Sequence, residues 1–375
     1  MNMEKIYRKA LALDPLTVDE ALALYESGPL NELMSLAWEL RQKHVPGRTV
    51  TWQIDRNVNI TNVCISGCKF CNFHCMPHER EKAYVTTIDQ YVRKIDETLA
   101  LGGDQLLLQG GLHPKLGIDF YENLFRELKR LYPALKLHAL GAPEVAHIAR
   151  ISSLDDETTL RRLMDAGLDS LPGAGAEILD NGVRRAISPG KPDADRWLSV
   201  MRTAHRLGLP TSATMMYGHV ETPRQRVEHL IKIRDLQAEC PPGRYGFVAF
   251  IPWIFRSTGT ELERQGVETR FSPLEYLRII AVSRLMLHNI PNIQASWLTV
   301  GKATAQAALQ VEIVRDKEDP VQLPVLLGMF DQDVQPKLAR PPFGQGEQVG
   351  LVAVFKLDLI GHRGEELVQI GRAHV

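Results

Sequence analysis

Charge of one sign is missing from this sequence: 44 Lys and Arg stand against 45 Asp and Glu, a formal net charge of -1 over 375 residues. Without a broad basic field, neither nucleic acid nor an anionic membrane surface is an expected partner, and a small-molecule substrate is the default. Long apolar runs are missing as well. No stretch reaches the length that crosses a bilayer, and residues 1–24 mix charges with apolar residues at helical spacing instead of forming the uninterrupted apolar stretch of a secretory leader. These absences predict a cytoplasmic protein, in which thiols stay reduced. Cysteine is scarce, five in all, yet four of the five lie between positions 64 and 75. In a reducing compartment such a cluster more often binds metal or does chemistry than forms disulfides.

The apolar fraction of 44% and charged fraction of 24% suit a globular chain large enough for one barrel or two domains. Apolar residues at three- and four-residue spacing over 17–26 and 30–44 predict a pair of amphipathic helices, an N-terminal extension covering 1–49. From residue 50, short β-branched or apolar runs at 50–60, 105–108, 135–139, 170–171, 211–216, 246–251 and 293–298 read as strands. Between them, 87–101, 120–131, 155–166, 193–207, 223–238 and 273–287 read as helices, many bounded by Gly, Pro, Ser or Thr. Strand-helix alternation implies right-handed crossovers and a parallel sheet. The expected fold is therefore α/β, a full or partial TIM-like (β/α) barrel over 50–309, with reactive groups at the C-terminal ends of its strands. Residues 310–375 break the rhythm: 311–320 is charged and 335–348 is rich in Pro, Gly and Gln. Only 349–359 has the pattern of a strand, and the tail shows no role.

The first candidate strand runs directly into Asn62-Val63-Cys64-Ile65-Ser66-Gly67-Cys68-Lys69-Phe70-Cys71-Asn72-Phe73. Cysteines separated by three and then two residues can wrap one loop around three irons of a cubane 4Fe-4S cluster, because soft thiolates suit such clusters. The fourth iron then has no protein ligand and can chelate the amino and carboxylate groups of S-adenosylmethionine. Reduction of such a cluster breaks a sulfonium carbon-sulfur bond and releases a 5'-deoxyadenosyl radical, the cofactor carrying the hard chemistry. Cys75, with His74 and His78 nearby, leaves a structural zinc or a closed four-cysteine cluster as alternatives.

Other loops carry further parts. Gln109-Gly110-Gly111-Leu112-His113-Pro114 comes after the second strand, and its glycines let backbone approach a ligand closely. Leu171-Pro172-Gly173-Ala174-Gly175-Ala176-Glu177 ends in a carboxylate that suits a ribose hydroxyl or an amine, or equally the start of a helix. Arg202 reads as a carboxylate clamp or a solvated helical charge, and His205 on the same helix as a buried, satisfied histidine. The fifth strand ends in Tyr217-Gly218-His219-Val220-Glu221-Thr222, where His219 is the catalytic candidate and Glu221 a capping-region charge. Phe250-Ile251-Pro252-Trp253 and Gln294-Ala295-Ser296-Trp297 end later strands with groups that shield a radical, stack on a planar substrate or complete the core.

On these motifs, across about 50–309, the chain resembles the radical S-adenosylmethionine enzymes, and within them the cyclic dehypoxanthinyl futalosine synthases of the futalosine route to menaquinone. The cysteine loop is common to the whole superfamily; the other motifs are narrower, shared with futalosine and deazaflavin-cofactor synthases. The resemblance implies that the adenosyl radical takes the hydrogen at C4' of the ribose in dehypoxanthine futalosine. The carbon radical then adds to the benzoate ring, and loss of a proton and an electron restores aromaticity. It implies Cys64, Cys68 and Cys71 as cluster ligands, Phe73 beside the adenine, and Gly110, Gly111, Glu177 and Arg202 around the rest of the cofactor. An external one-electron reductant is the implied partner; the oligomeric state is left open. The family's Gly-Ala-Asp/Asn loop and Met-x-Glu-Glu-Asn segment are not found after Gln310, which predicts a barrel open on one side. Aminofutalosine synthase and deazaflavin-cofactor synthases are the rival activities on the same scaffold.

Overall fold

The computed structural model describes residues 2–47 and 54–310, and two short backbone segments, 50–51 and 356–357. Its elements in chain order are α1 (Met3–Leu11), α2 (Val18–Ser27), α3 (Leu30–His44), β1 (Val50–Thr51), β2 (Asp55–Asn59), α4 (Ile88–Ala100), β3 (Gln105–Gln109), α5 (Ile118–Leu131), β4 (Lys136–Ala139), α6 (Ala142–Ile151), α7 (Asp156–Ala166), α8 (Asn181–Ile187), α9 (Ala194–Leu207), β5 (Thr211–Tyr217), α10 (Pro223–Ala238), β6 (Phe247–Ile254), α11 (Glu261–Arg264), α12 (Pro273–Met286), β7 (Asn292–Ile293), α13 (Trp297–Val300), α14 (Lys302–Gln310) and β8 (Lys356–Leu357). The tail beyond 310 lies outside the described residues, apart from the two of β8, which pair antiparallel with β1.

Strands β2, β3 and β4 pair in parallel, and β5, β6 and β7 do the same. Two single bridges join these sheets: Ser170 pairs with His138 of β4 and Leu171 with Thr211 of β5, both parallel. One curved row of seven parallel segments results, a partial TIM-like barrel. Among the described residues β7 does not pair with β2.

Alternation along the strands assigns the two faces. Val58, Leu106, Leu108, Leu137 and Ala139 are buried beneath the surrounding helices. The opposite face carries Asn57, Asn59, Gln105, Leu107, Gln109 and His138, none of them fully buried. A filled TIM barrel stacks bulky branched side chains inside; here amides, hydroxyls and an imidazole face inward and surround a cavity.

The helices start where their caps dictate. Thr17, Thr87 and Thr222 each form a capping box with Glu20, Gln90 and Gln225. The N-terminal helices do not stand apart: α3 packs on α12, α2 on α10, and buried Leu24, Leu33 and Leu40 join the same apolar core as the barrel helices. No helix among the described residues is long and apolar enough to cross a membrane.

The run at 50–60 breaks into β1 and β2, and the segment expected as a strand over 293–298 ends at Ile293 before turning into α13. A short apolar run reads equally as strand or buried helix. Helix α6 gave no periodic signal because residues 142 to 149 are all buried, leaving no polar face.

Two buried histidines give the fold an acid limit. His229 Nδ1 accepts from Leu179 N at 3.0 Å, and His205 Nε2 lies 2.8 Å from Thr211 Oγ1 with its ring edge-on to Phe247. Burial pulls their pKa values down to about 3 and about 4. An unfolded histidine takes up its proton near pH 6.5, so below that pH the unfolded chain binds more protons than the folded one. Stability should therefore fall as pH drops from about 6.5 towards 4, by about 1.4 kcal/mol per pH unit for each histidine. Urea unfolding at neutral and mildly acidic pH measures this, and an unchanged midpoint would contradict it.

Candidate active site

Cysteines 64, 68 and 71 all line one cavity of about 890 Å³ at the C-terminal ends of the strands; Cys75 does not line it. The loop that carries them has little regular structure and is held from several sides. Cys64 N donates to Cys75 O at 3.0 Å and Cys75 N to Asn62 O at 2.9 Å, so the backbone of Cys75 closes the loop's base. Gly190 N donates to Ser66 O at 2.9 Å, Lys69 N to Ile187 O at 2.8 Å, and Leu262 N to Lys69 O at 3.0 Å, which ties the loop to α8 and α11. Gly67 takes a positive φ of 61°, the left-handed conformation that glycine adopts without strain.

The thiols are held by donors. Ser66 Oγ lies 2.9 Å from Cys64 Sγ and 3.3 Å from Cys68 Sγ, and Leu112 N donates to Cys64 Sγ at 3.2 Å. Burial pushes the Cys68 thiol up to about 11, against the pull of Lys191. At Cys71 burial is outweighed by hydrogen bonds from the His74 side chain and the Phe73 and His74 N–H groups, and its pKa falls below the ordinary thiol value. Among the described residues, no three of His, Cys, Asp and Glu converge closely enough to hold one metal ion. Three thiols on one cavity wall, with a backbone donor to one sulfur, suit a cluster that takes one thiolate per iron.

Gly110 and Gly111 also line the cavity, and their smallness serves the cysteine loop directly. A Cβ on Gly111 would lie 2.2 Å from Val63 O and 2.8 Å from Cys64 Cβ. Gly111 N already donates to Thr61 O at 2.8 Å. Phe73 stands on the cavity wall beside Cys71.

Glu177 is buried on the same wall with a positive φ of 40°, a strained conformation for a residue with a side chain. Its Oε1 accepts from Lys191 Nζ at 2.8 Å. Among the described residues, its Oε2 has no hydrogen-bond partner, Arg184 Nη1 standing 3.8 Å away. Burial works against the Lys191 charge, but Cys68 and Glu177 beside it prevail and raise its pKa above the ordinary lysine value. Lys191 also sits 5.1 Å from the centre of the Phe70 ring. Glu144, at the start of α6, lines the cavity too, its pKa raised by burial.

Two expected residues are not brought to this place. Arg202 sits on the outer side of α9 in a two-point ion pair with Glu239, its Nη2 at 3.0 Å from Glu239 Oε1, and neither residue lines the cavity. The spacing that put Arg202 on a helix was right, but the face it occupies is the solvent side. His219 is also corrected. Its side chain is fully buried in the turn after β5, with Nδ1 3.1 Å from Glu221 Oε2 and Nε2 3.1 Å from Met216 O. Glu221 in turn accepts from Gly218 N, His219 N and Arg226. That cluster fastens the turn and leaves His219 no face on the cavity. Lys191, Glu144 and His138 are among the cavity residues that sequence reasoning missed. The signals were a lysine two residues after Pro189, a carboxylate opening an unseen helix, and the alternation of Leu135, Leu137 and Ala139, which turns His138 to the other face of β4.

A partial parallel barrel with three thiols at the mouth of its axial cavity defines a radical iron-sulfur enzyme. Residues 58–233 match the family described as the radical SAM superfamily, and residues 244–314 that described as the CofH/MqnC C-terminal region. The chain is 42% identical over 310 residues, 82% of its length and 76% of the other's, to a Streptomyces coelicolor protein named cyclic dehypoxanthine futalosine synthase. It is 39% identical, over 78% of its length and 76% of the other's, to a Methanosarcina acetivorans 5-amino-6-(D-ribitylamino)uracil--L-tyrosine 4-hydroxyphenyl transferase. In fold it resembles methylornithine synthase, PylB, with a TM-score of 0.60 and 20% identity over 82% of this chain and 83% of that one. The chain belongs to the radical SAM superfamily and is a radical SAM enzyme, a class that uses a 4Fe-4S cluster and S-adenosylmethionine.

Two substitutions separate ligand from frame. Cys68→Ala should abolish cluster assembly while Cys75→Ala retains it, read as iron per chain after anaerobic reconstitution; equal loss in both would mean a four-cysteine site. Gly111→Ala should cost about 1–3 kcal/mol of stability through the forced contact and lower iron retention, since the Cβ strikes Val63 and Cys64. Wild-type stability and iron content in Gly111→Ala would show that the two loops do not need this contact.

Proposed function

We propose that the chain cyclises dehypoxanthine futalosine in the futalosine route to menaquinone. The observation that carries this reading is the 42% identity to a relative of that name over 310 residues, 82% of the chain. When bound, the cluster and S-adenosylmethionine supply a 5'-deoxyadenosyl radical that removes the hydrogen from ribose C4'.

Cys64, Cys68 and Cys71 would each hold one iron, and Ser66 Oγ and Leu112 N lie against the sulfurs of the first two. Phe73, Gly110, Gly111 and Glu177 surround the cofactor, with the free Oε2 of Glu177 placed to accept from a hydroxyl or an ammonium. Lys191 holds the other oxygen, Oε1, at 2.8 Å. Below this mouth the inward amides and hydroxyls of the barrel give a polar substrate its partners, while the enclosing helices exclude water, which protects a carbon radical from side reactions. An external one-electron donor supplies the reducing electron.

The likeness to the Methanosarcina acetivorans transferase favours one alternative on the same scaffold, a radical transfer involving tyrosine and the ribitylaminouracil of that name. Anaerobic incubation of the reconstituted enzyme with S-adenosylmethionine and a reductant, separately with each substrate set, decides between them. The expected result is 5'-deoxyadenosine with a cyclised product from dehypoxanthine futalosine alone. A coupled product from tyrosine and the uracil would overturn the assignment.

A further inference from the structure

On the cyclisation reading proposed for this chain, and only on it, one proton has to be removed inside the barrel. Attack of the C4' radical on the ring makes a new carbon-carbon bond and leaves the attacked carbon tetrahedral, still carrying its hydrogen. Aromaticity returns when that hydrogen departs as a proton and one electron passes to a one-electron acceptor of the iron-sulfur or flavin class.

The acceptor of the proton has to lie in the cavity, below the cofactor, and have a free lone pair. Glu177 stands at the mouth, where its free Oε2 is assigned to the cofactor, and Lys191 is held protonated. Asp169 accepts from Lys129 Nζ at 2.6 Å and Leu137 N at 2.7 Å. Glu144 takes a backbone hydrogen bond from Gly110, in the glycine turn at the level of the mouth. His74 belongs to the cysteine loop itself.

His138 meets each requirement. It lies on β4 opposite Leu107, and Leu107 is opposite Asn57. That layer is two residues, about 7 Å along a strand, below Asn59 and Gln109, from which the chain enters the cysteine and glycine loops. The ring lines the cavity, and its Nδ1 is 2.7 Å from Ser170 Oγ. Among the described residues the ring's one hydrogen bond is this contact at Nδ1. With the Nδ1 proton donated to Ser170, Nε2 presents its lone pair to the cavity.

We propose that His138 is a catalytic residue of this enzyme, taking on Nε2 the proton released when the substrate ring regains aromaticity. Burial lowers the pKa of this imidazole to about 4, so it is neutral and able to accept. A weak base is enough, because restored aromaticity drives the proton off the tetrahedral carbon. Ser170 is a positioning residue that fixes the tautomer.

The test compares the reconstituted wild type with His138→Asn, supplied with S-adenosylmethionine, a chemical reductant and dehypoxanthine futalosine, counting 5'-deoxyadenosine against cyclised product. In the variant the ratio of deoxyadenosine to product should rise roughly 100-fold, and deuterium on the substrate ring should slow product formation where it does not in the wild type. Added imidazole should restore product to His138→Gly. If both products fall in step, or no ring isotope effect appears, the inference is overturned while the cyclisation reading stands. A wild type that makes no cyclised product overturns both. The change in the cluster's EPR signal on adding S-adenosylmethionine verifies that each variant is folded and loaded.

Discussion

The segment that carries the thiols is irregular from end to end, so its cysteines stay in place only while its backbone groups find partners on neighbouring loops. Those partners come from four places: the strand run-out at Thr61 and Asn62, the glycine turn after β3, the α8–α9 connection and the start of α11. Two of these approaches are possible only at glycine. A Cβ at Gly111 would strike Val63 O, and one at Gly190 would come within 2.5 Å of Ser66 O. The geometry of the thiols is thus a property of the surrounding barrel, since no short stretch of sequence could hold it alone.

Placement also decides the charge at the mouth. Three thiolates and a cluster concentrate electron density in a partly enclosed site, where an uncompensated charge is expensive. Lys191 answers this from the connection that also carries Gly190, so the residue that meets Ser66 and the residue that faces Cys68 are adjacent in sequence. Glu177 then sets the orientation of the ammonium, and Arg184 binds the carbonyls of Gly175, Ala176 and Pro192, fastening the Glu177 loop to the Lys191 connection. The strained φ of Glu177 is stable in this setting because so many of its neighbours are fixed.

Local signals made much of this legible. The helices with a polar face and a Thr or Asp cap were visible within a residue or two, as in α4, α7, α9 and α10, and alternating strands revealed the barrel. The cysteine spacing named the cluster loop. What stayed hidden has a common cause: it depends on contacts between distant parts of the chain. Helix α6 is buried all round, Arg202 falls on the outer side of a correctly read helix, and the polar groups around His219 bond to one another rather than to the cavity. Residue type at a strand end shows that a polar cluster exists, but only packing shows which way it turns.

The open side of the barrel shows what replaces a missing strand pair. Between β7 and β2, the cavity wall includes Arg41 and Val45 at the end of α3 and Ala305 and Leu309 of α14. Among the described residues, helices thus line the side where strand pairing stops, and α3 can do so because it is packed along α12 and shares the barrel's core. Full closure brings alternate side chains into packed inward layers, whereas a gap bridged by helices leaves the axis free for ligand. The end of α3 therefore belongs to the site as much as to the fold, since Arg41 and Val45 line the cavity while the rest of the helix packs along α12.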